Sequence, residues 1–195
     1  MRPYEKFKDS KLTGRNRRLL YEWEKLYDVC QRHQEISLHV ERTNALGLPV
    51  AYTVHYDILS ICGVENVDQL DAPDVKNPPV FARGYVLSIE LPDAYPCIDA
   101  QPVFKFLTAD DTGKPLPHPW HPNVRYFGDM AGRVCINMLD TFADIAWGVE
   151  RIAEYLTYNL YNAMPEPPYP EDLRVAEWVR HQGEPNNWIF FNQKQ

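Results

Sequence analysis

A chain of 195 residues is long enough for one well-buried core and short for two full domains, and its 45% apolar and 24% charged residues exclude wholesale disorder and fibrous repeats. The net charge of −7 argues against nucleic acid held on a broad basic surface, because that binding rests on Lys and Arg neutralising phosphates. Scattered cysteines without a C-x-x-C pair, and the lack of a charged-then-apolar leader or of a run of about 18 apolar residues, point to the reducing cytoplasm and away from a disulfide framework or a membrane span.

Residues 1–13 read as a polar arm. Thr13 is placed to cap a helix over 14–33, in which Leu19, Leu20, Trp23, Leu26, Tyr27 and Cys30 recur at helical spacing. Arg15, Arg17, Arg18, Glu22 and Lys25 fall on its charged face. Cations in a first turn oppose the helix dipole, so the three arginines are either an ordinary solvated face or a docking surface. Four strands follow, at 36–42, 51–61, 80–91 and 102–108, with a proline-bearing surface loop over 65–79. Short connections without helices between them predict an antiparallel meander, in which His39 and His55 are exposed or hydrogen-bonded rather than ligands. The connector 91–102 carries three of the 17 prolines; Tyr95 and Ile98 are expected to anchor it on the core, with Cys97 as a small buried hydrophobe.

The stretch 108–134 has no periodicity, and a structureless span of that length in a compact domain is expected to be functional. It leads into Cys135. Beyond it, Val149, Ile152, Leu156, Leu160 and Ala163 predict a helix running to Pro165, and a second helix is expected over 171–181. The aromatics of the tail 182–195, Trp188, Phe190 and Phe191, either fold back on the body or meet a partner.

A lone cysteine among Val134, Ile136, Met138 and Leu139 is ordinarily core. A nucleophile would need exposure and an oxyanion donor; Asn123 offers a side-chain amide, and Gly128 and Gly132 let the loop backbone approach. His121 has three readings: a general base in a Cys-His-Asn set, a metal ligand paired with His118, or a structural histidine that fixes Asn123. The last is preferred, because the papain-type residues lie far apart in sequence and a third metal ligand is lacking beyond Cys135.

The order Tyr95-Pro96, Pro102, a strand, His121-Pro122-Asn123, Val134-Cys135-Ile136 with Leu139, then Trp147 at the mouth of a helix resembles the core of ubiquitin-conjugating enzymes over about residues 14–181. The resemblance implies an α+β fold: an N-terminal helix, a four-stranded antiparallel meander, an active-site loop and C-terminal helices. It implies that Cys135 carries a ubiquitin-like modifier as a thioester received from an activating enzyme and passes it to an amine, with or without a ligase bringing the target. Asn123 would then serve the oxyanion or order the loop, and His121 would hold that loop. An acid among Glu166, Glu171 and Asp172 would orient the acceptor lysine, and Arg15, Arg17 and Arg18 would meet the activating enzyme. No metal, cofactor, nucleic acid or membrane enters this chemistry. Longer spans before His121, from Asn123 to Cys135 and from Cys135 to Trp147, and the lack of Pro-Asn-Pro after Met164, depart from the family pattern. They imply a divergent member, in a bacterial or otherwise non-standard system such as bacterial defence. The rival readings are an inactive module of the same fold that binds the modifier, and a cysteine hydrolase.

Overall fold

The computed structural model describes residues 2–72, 74–136 and 144–194. Helix α1 (Gly14–Arg32) is followed by strands β1 (Ile36–Thr43), β2 (Pro49–Tyr56), β3 (Ser60–Val64), β4 (Pro79–Ala82), β5 (Tyr85–Glu90) and β6 (Val103–Phe106), then by helices α2 (Ile145–Leu156) and α3 (Leu173–Trp178). The result is a mixed helix-and-sheet fold around a four-stranded antiparallel sheet ordered β1-β2-β5-β6.

Alternation decides which side of that sheet is core. One row of paired residues crosses it as Leu38, Val54, Leu87 and Phe106; the next row is His39, Thr53, Ser88 and Lys105. Val54, Leu87 and Phe106 are fully buried, whereas His39 and Lys105 face water, as period-two patterning requires. Onto the apolar face pack Leu19, Trp23, Leu26 and Val29 of α1 and Ile145, Val149, Ile152 and Leu156 of α2. Each such side chain contributes roughly 1.5–3 kcal/mol by leaving water. Helix α2 spans the sheet: Tyr56 of β2 donates its hydroxyl to Val149 O, and Gly148 lies against the ring of Phe104 in β6.

Two of the four expected strands are each divided. After Tyr56 and before Tyr85 the pairing lapses, and it resumes as the separate β3–β4 ribbon, with Ser60 opposite Ala82. Gly84, at φ +83°, supplies the bend between β4 and β5. The apolar run of 51–61 continues through its bend, since β2 and β3 both bury apolar residues, whereas in 80–91 β5 does so and Val80 and Phe81 of β4 are exposed.

The helix expected to reach Pro165 instead stops at Leu156. Tyr158 takes φ +57° and turns its hydroxyl onto Trp120 O, so Leu160 is left 38% exposed. In the 91–102 connector, Tyr95 is buried as expected, but Ile98 and Cys97 are exposed. Successive turns (Tyr95 N to Pro92 O, Cys97 N to Ala94 O, Ala100 N to Cys97 O) carry both outward and send Ala100 in. Thr13 occupies the N-cap position of α1 without a side-chain cap bond.

Both ends of the described chain pack on the body. Tyr4 sets its ring edge-on to Trp23 and Tyr27. The tail aromatics fold back, Trp188 stacking on Trp178 and Phe191 meeting Phe81 and Tyr158. With Ile61, Trp120, Val175 and Ile189, the tail builds a second apolar cluster beside the main one.

Candidate active site

Residues 123–135 form a hairpin. Cys135 N donates to Asn123 O at 2.8 Å and Arg125 N donates to Arg133 O at 2.8 Å, with Val124 opposite Val134 between them. The second arm joins the sheet edge through Val134 N to Phe104 O and Phe106 N to Gly132 O. Gly132 sits at φ +91°, where an added Cβ would collide with the carbonyl oxygen of Phe106. Only glycine lets the turn lie that close to β6. Gly128 shares the positive φ but has open space around it.

The register sets the chemistry. Val124 and Val134 turn to the interior, so the alternating positions Asn123, Cys135, Arg125 and Arg133 share the other face. Asn123 is directly across from Cys135, and its side-chain Oδ1 accepts from Asn162 N at 2.9 Å, which leaves the amide NH2 as the donating end. Cys135 is half-buried, and Tyr155 of α2 donates its hydroxyl to the Cys135 carbonyl at 3.3 Å. Burial pushes the thiol pKa up, the Glu171 carboxylate adds to that, and Arg133 partly offsets both. Met138 and Leu139, expected neighbours of Cys135, lie outside the described residues.

His121 is fully enclosed. Its Nδ1 accepts from Asn123 N at 3.1 Å, so the proton sits on Nε2, which donates to Leu160 O at 3.0 Å. The ring stacks on Tyr155 with centroids 4.8 Å apart, and burial drives its pKa down to about 3. Both nitrogens are thus committed and the ring is neutral, a poor arrangement for a base at neutral pH. His118 stacks on Tyr126 instead of turning toward His121, and burial lowers its pKa to about 4. Among the described residues no group of three or more His, Cys, Asp or Glu side chains is arranged to hold a metal ion.

The three acids have different fates. Asp172 caps α3 by accepting from Arg174 N and Val175 N through Oδ1, while its Oδ2 accepts from Tyr126 N and Phe127 N. Glu171 joins Arg125 and Arg133. Glu166 is exposed, in a loop fastened beside Asn123 because Asn162 donates its backbone N–H to Asn123 and its side-chain Nδ2 to Pro168 O. Of the three arginines in α1, Arg15 donates to Pro92 O and Arg18 pairs with Glu22 and Tyr95; Arg17 is the exposed one.

Sequence reasoning missed Glu22, Tyr155 and the two hairpin arginines. Glu22 is fully buried and bonds Arg18, Tyr95 and the backbone N–H of Ile145, joining α1, the connector and the start of α2. Its position three residues after Leu19 and four before Leu26 puts it on the apolar face by helical period, a signal that its charge obscured.

No helix among the described residues is long and apolar enough to cross a membrane. The chain matches no protein-family profile and no curated protein. Among solved structures it is similar to a Plasmodium vivax ubiquitin conjugating enzyme E2, at 20% identity and a TM-score of 0.44, over 71% of this chain and 98% of that one.

Proposed function

We propose that this protein is a conjugating enzyme of the ubiquitin-conjugating type. It carries a ubiquitin-like modifier as a thioester on Cys135 and transfers it to an amine, typically a lysine. The observation that carries this reading is the hairpin register, which sets Asn123 across from Cys135 while both ring nitrogens of nearby His121 are engaged elsewhere. In the loading step the Cys135 sulfur attacks the modifier's C-terminal carbonyl, gives up its proton to solvent, and the activating enzyme's thiolate leaves. In the transfer step the amine attacks the same carbonyl, the Cys135 sulfur leaves as the thiol, and an amide remains.

A thiol whose pKa is raised by burial must give up its proton as it attacks, and the step remains accessible without an adjacent base because the donor thioester is already activated. Such a thiol does not suit hydrolysis of an amide, which calls for a cysteine activated by an adjacent base, and His121 has no free nitrogen for that. Asn123 Nδ2 serves as the oxyanion donor, oriented because Oδ1 is fastened to Asn162. With Glu171 and Asp172 engaged elsewhere, Glu166 is the acid left to meet an incoming lysine, and Arg17 is the cation left to meet the activating enzyme. The partners in this reading are the modifier, the activating enzyme and a target or ligase, in the cytoplasm and in a divergent, non-standard system.

The test is incubation with candidate activating enzymes, ATP and modifiers, read on gels with and without reductant. A reductant-sensitive adduct lost in Cys135→Ala supports the reading, and no adduct with cognate partners sinks it. Binding without any adduct marks an inactive module, and turnover of an isolated ester marks a hydrolase. Asn123→Asp, which keeps the acceptor oxygen and removes the donor, should load normally but discharge to lysine about 10²-fold more slowly; unchanged discharge would reduce Asn123 to scaffolding.

A further inference from the structure

The Asn123–Cys135 face carries a charged set that the thioester chemistry does not use. Arg125 and Arg133 lie opposite each other one step along the hairpin, on the same side as the sulfur. Glu171, in the loop before α3, reaches both: Oε1 is 3.2 Å from Arg125 Nε and 2.7 Å from Arg133 Nη2. Its side chain is only 9% exposed, against 37% and 47% for the two arginines, so a nearly enclosed carboxylate is shared by two cations that outnumber it. Among the described residues, α2 adds further ionisable groups, where Tyr155 bonds the Cys135 carbonyl and Arg151 lies over the Tyr155 ring.

We propose that Glu171 is a positioning residue for Cys135: by clamping Arg125 and Arg133 it fixes the 165–172 loop against the hairpin and masks the Arg133 guanidinium from the sulfur. The clamp lowers the thiolate fraction and so keeps the thiol slow toward adventitious electrophiles. Without the carboxylate, Arg133 is left unbalanced near the sulfur and favours the thiolate. Without Arg133, the carboxylate faces the sulfur with less compensation and disfavours it. Burial raises the thiol pKa in any case, and Glu171 and Arg133 act on it in these opposite directions. The role given to Glu171 rests on the reading of Cys135 as a thioester carrier, but its test needs neither modifier nor activating enzyme.

That test is peptide-resolved alkylation of the whole protein with iodoacetamide across neutral and alkaline pH. Glu171→Gln should alkylate at Cys135 about 3-fold faster at neutral pH, and Arg133→Gln about 2-fold slower, with exposed Cys97 unchanged in both. A purely structural tie would not move the two variants in opposite directions. Unchanged Cys135 profiles, or shifts of the same sign, overturn the proposal. Should Glu171→Gln loosen the fold, seen as faster alkylation of half-buried Cys62, Arg133→Gln decides alone: slower alkylation upholds the clamp, and an unchanged rate overturns it. A protein that shows these shifts yet never forms a reductant-sensitive adduct has lost the conjugating reading and kept the clamp.

Discussion

The two apolar clusters are held in different ways. In the main one, between the sheet and helices α1 and α2, large aliphatic and aromatic side chains recur at strand and helix periods, and rows such as Leu38, Val54, Leu87 and Phe106 interlock by register. In the second, aromatic edges meet Trp120, and single polar groups reach across to the backbone: Tyr158 to Trp120 O, Trp178 Nε1 to Asn77 O, Asp172 to four amides. The first kind of packing spreads its energy over many exchangeable contacts; the second concentrates it in a few residues without substitutes. The Cys135 hairpin lies where the two meet, with Val134 packed on the main cluster, Tyr126 on the second, and His121 between Tyr155 of the one and Tyr158 of the other.

The contrast is most directly broken at Gly132. Gly132→Ala should cost about 4 kcal/mol in urea unfolding, because the backbone of β6 stands where the methyl would go, and it should displace Cys135 with it. Asp172→Ala, an exposed-looking substitution on sequence grounds, should cost about 3 kcal/mol by stripping four backbone amides of their acceptor.

Acid should separate the two sides by sign. His121 and His118, held by burial at about 3 and about 4, refuse protons that the unfolded chain takes up near its ordinary 6.5. The stability they contribute is complete above pH 6.5 and is lost as pH falls, by up to about 1.4 kcal/mol per pH unit for each. Glu22, in the main cluster, has its pKa raised by burial above the ordinary 4.5, so the folded state binds its proton the more tightly and gains stability as pH falls toward 4.5, with no further gain below it. Unfolding in urea at a series of pH values should therefore show a flatter acid loss for His121→Gln and a steeper one for Glu22→Gln. Equal slopes would mean that these groups do not govern the response. The smallest effect is expected from Tyr155→Phe, about 1 kcal/mol from the hydroxyl on the Cys135 carbonyl, with the stack on His121 preserved.

What was legible in the sequence follows the same division. The order of helix and strands and the buried row of the sheet are written in periodicity. Asn123 and Cys135 stand out only as members of a family-like order of residues; the hairpin that pairs them is not legible, because 108–134 shows no periodicity. Illegible were features set by a single residue's backbone: the break at 57–59, the early end of α2 at Tyr158, and the outward turns at Cys97 and Ile98. The charged residues were misjudged for a related reason. Glu22, Glu171 and Asp172 look solvated by type; helical spacing hints at burial for Glu22 alone, and the partners that hold all three inside are distant in sequence.

The bonds from Gly132 and Val134 to Phe106 and Phe104 have one more consequence. They cover the edge of β6 that would otherwise present unpaired amides and carbonyls, leaving β1, whose outer positions include His39, Glu41 and Arg42, as the open margin of the four-stranded sheet. Charged margins discourage strand addition, and a bare β6 with Phe104 and Phe106 would invite it. Damage to the hairpin is thus expected to do more than displace Cys135: it should also turn the protein aggregation-prone.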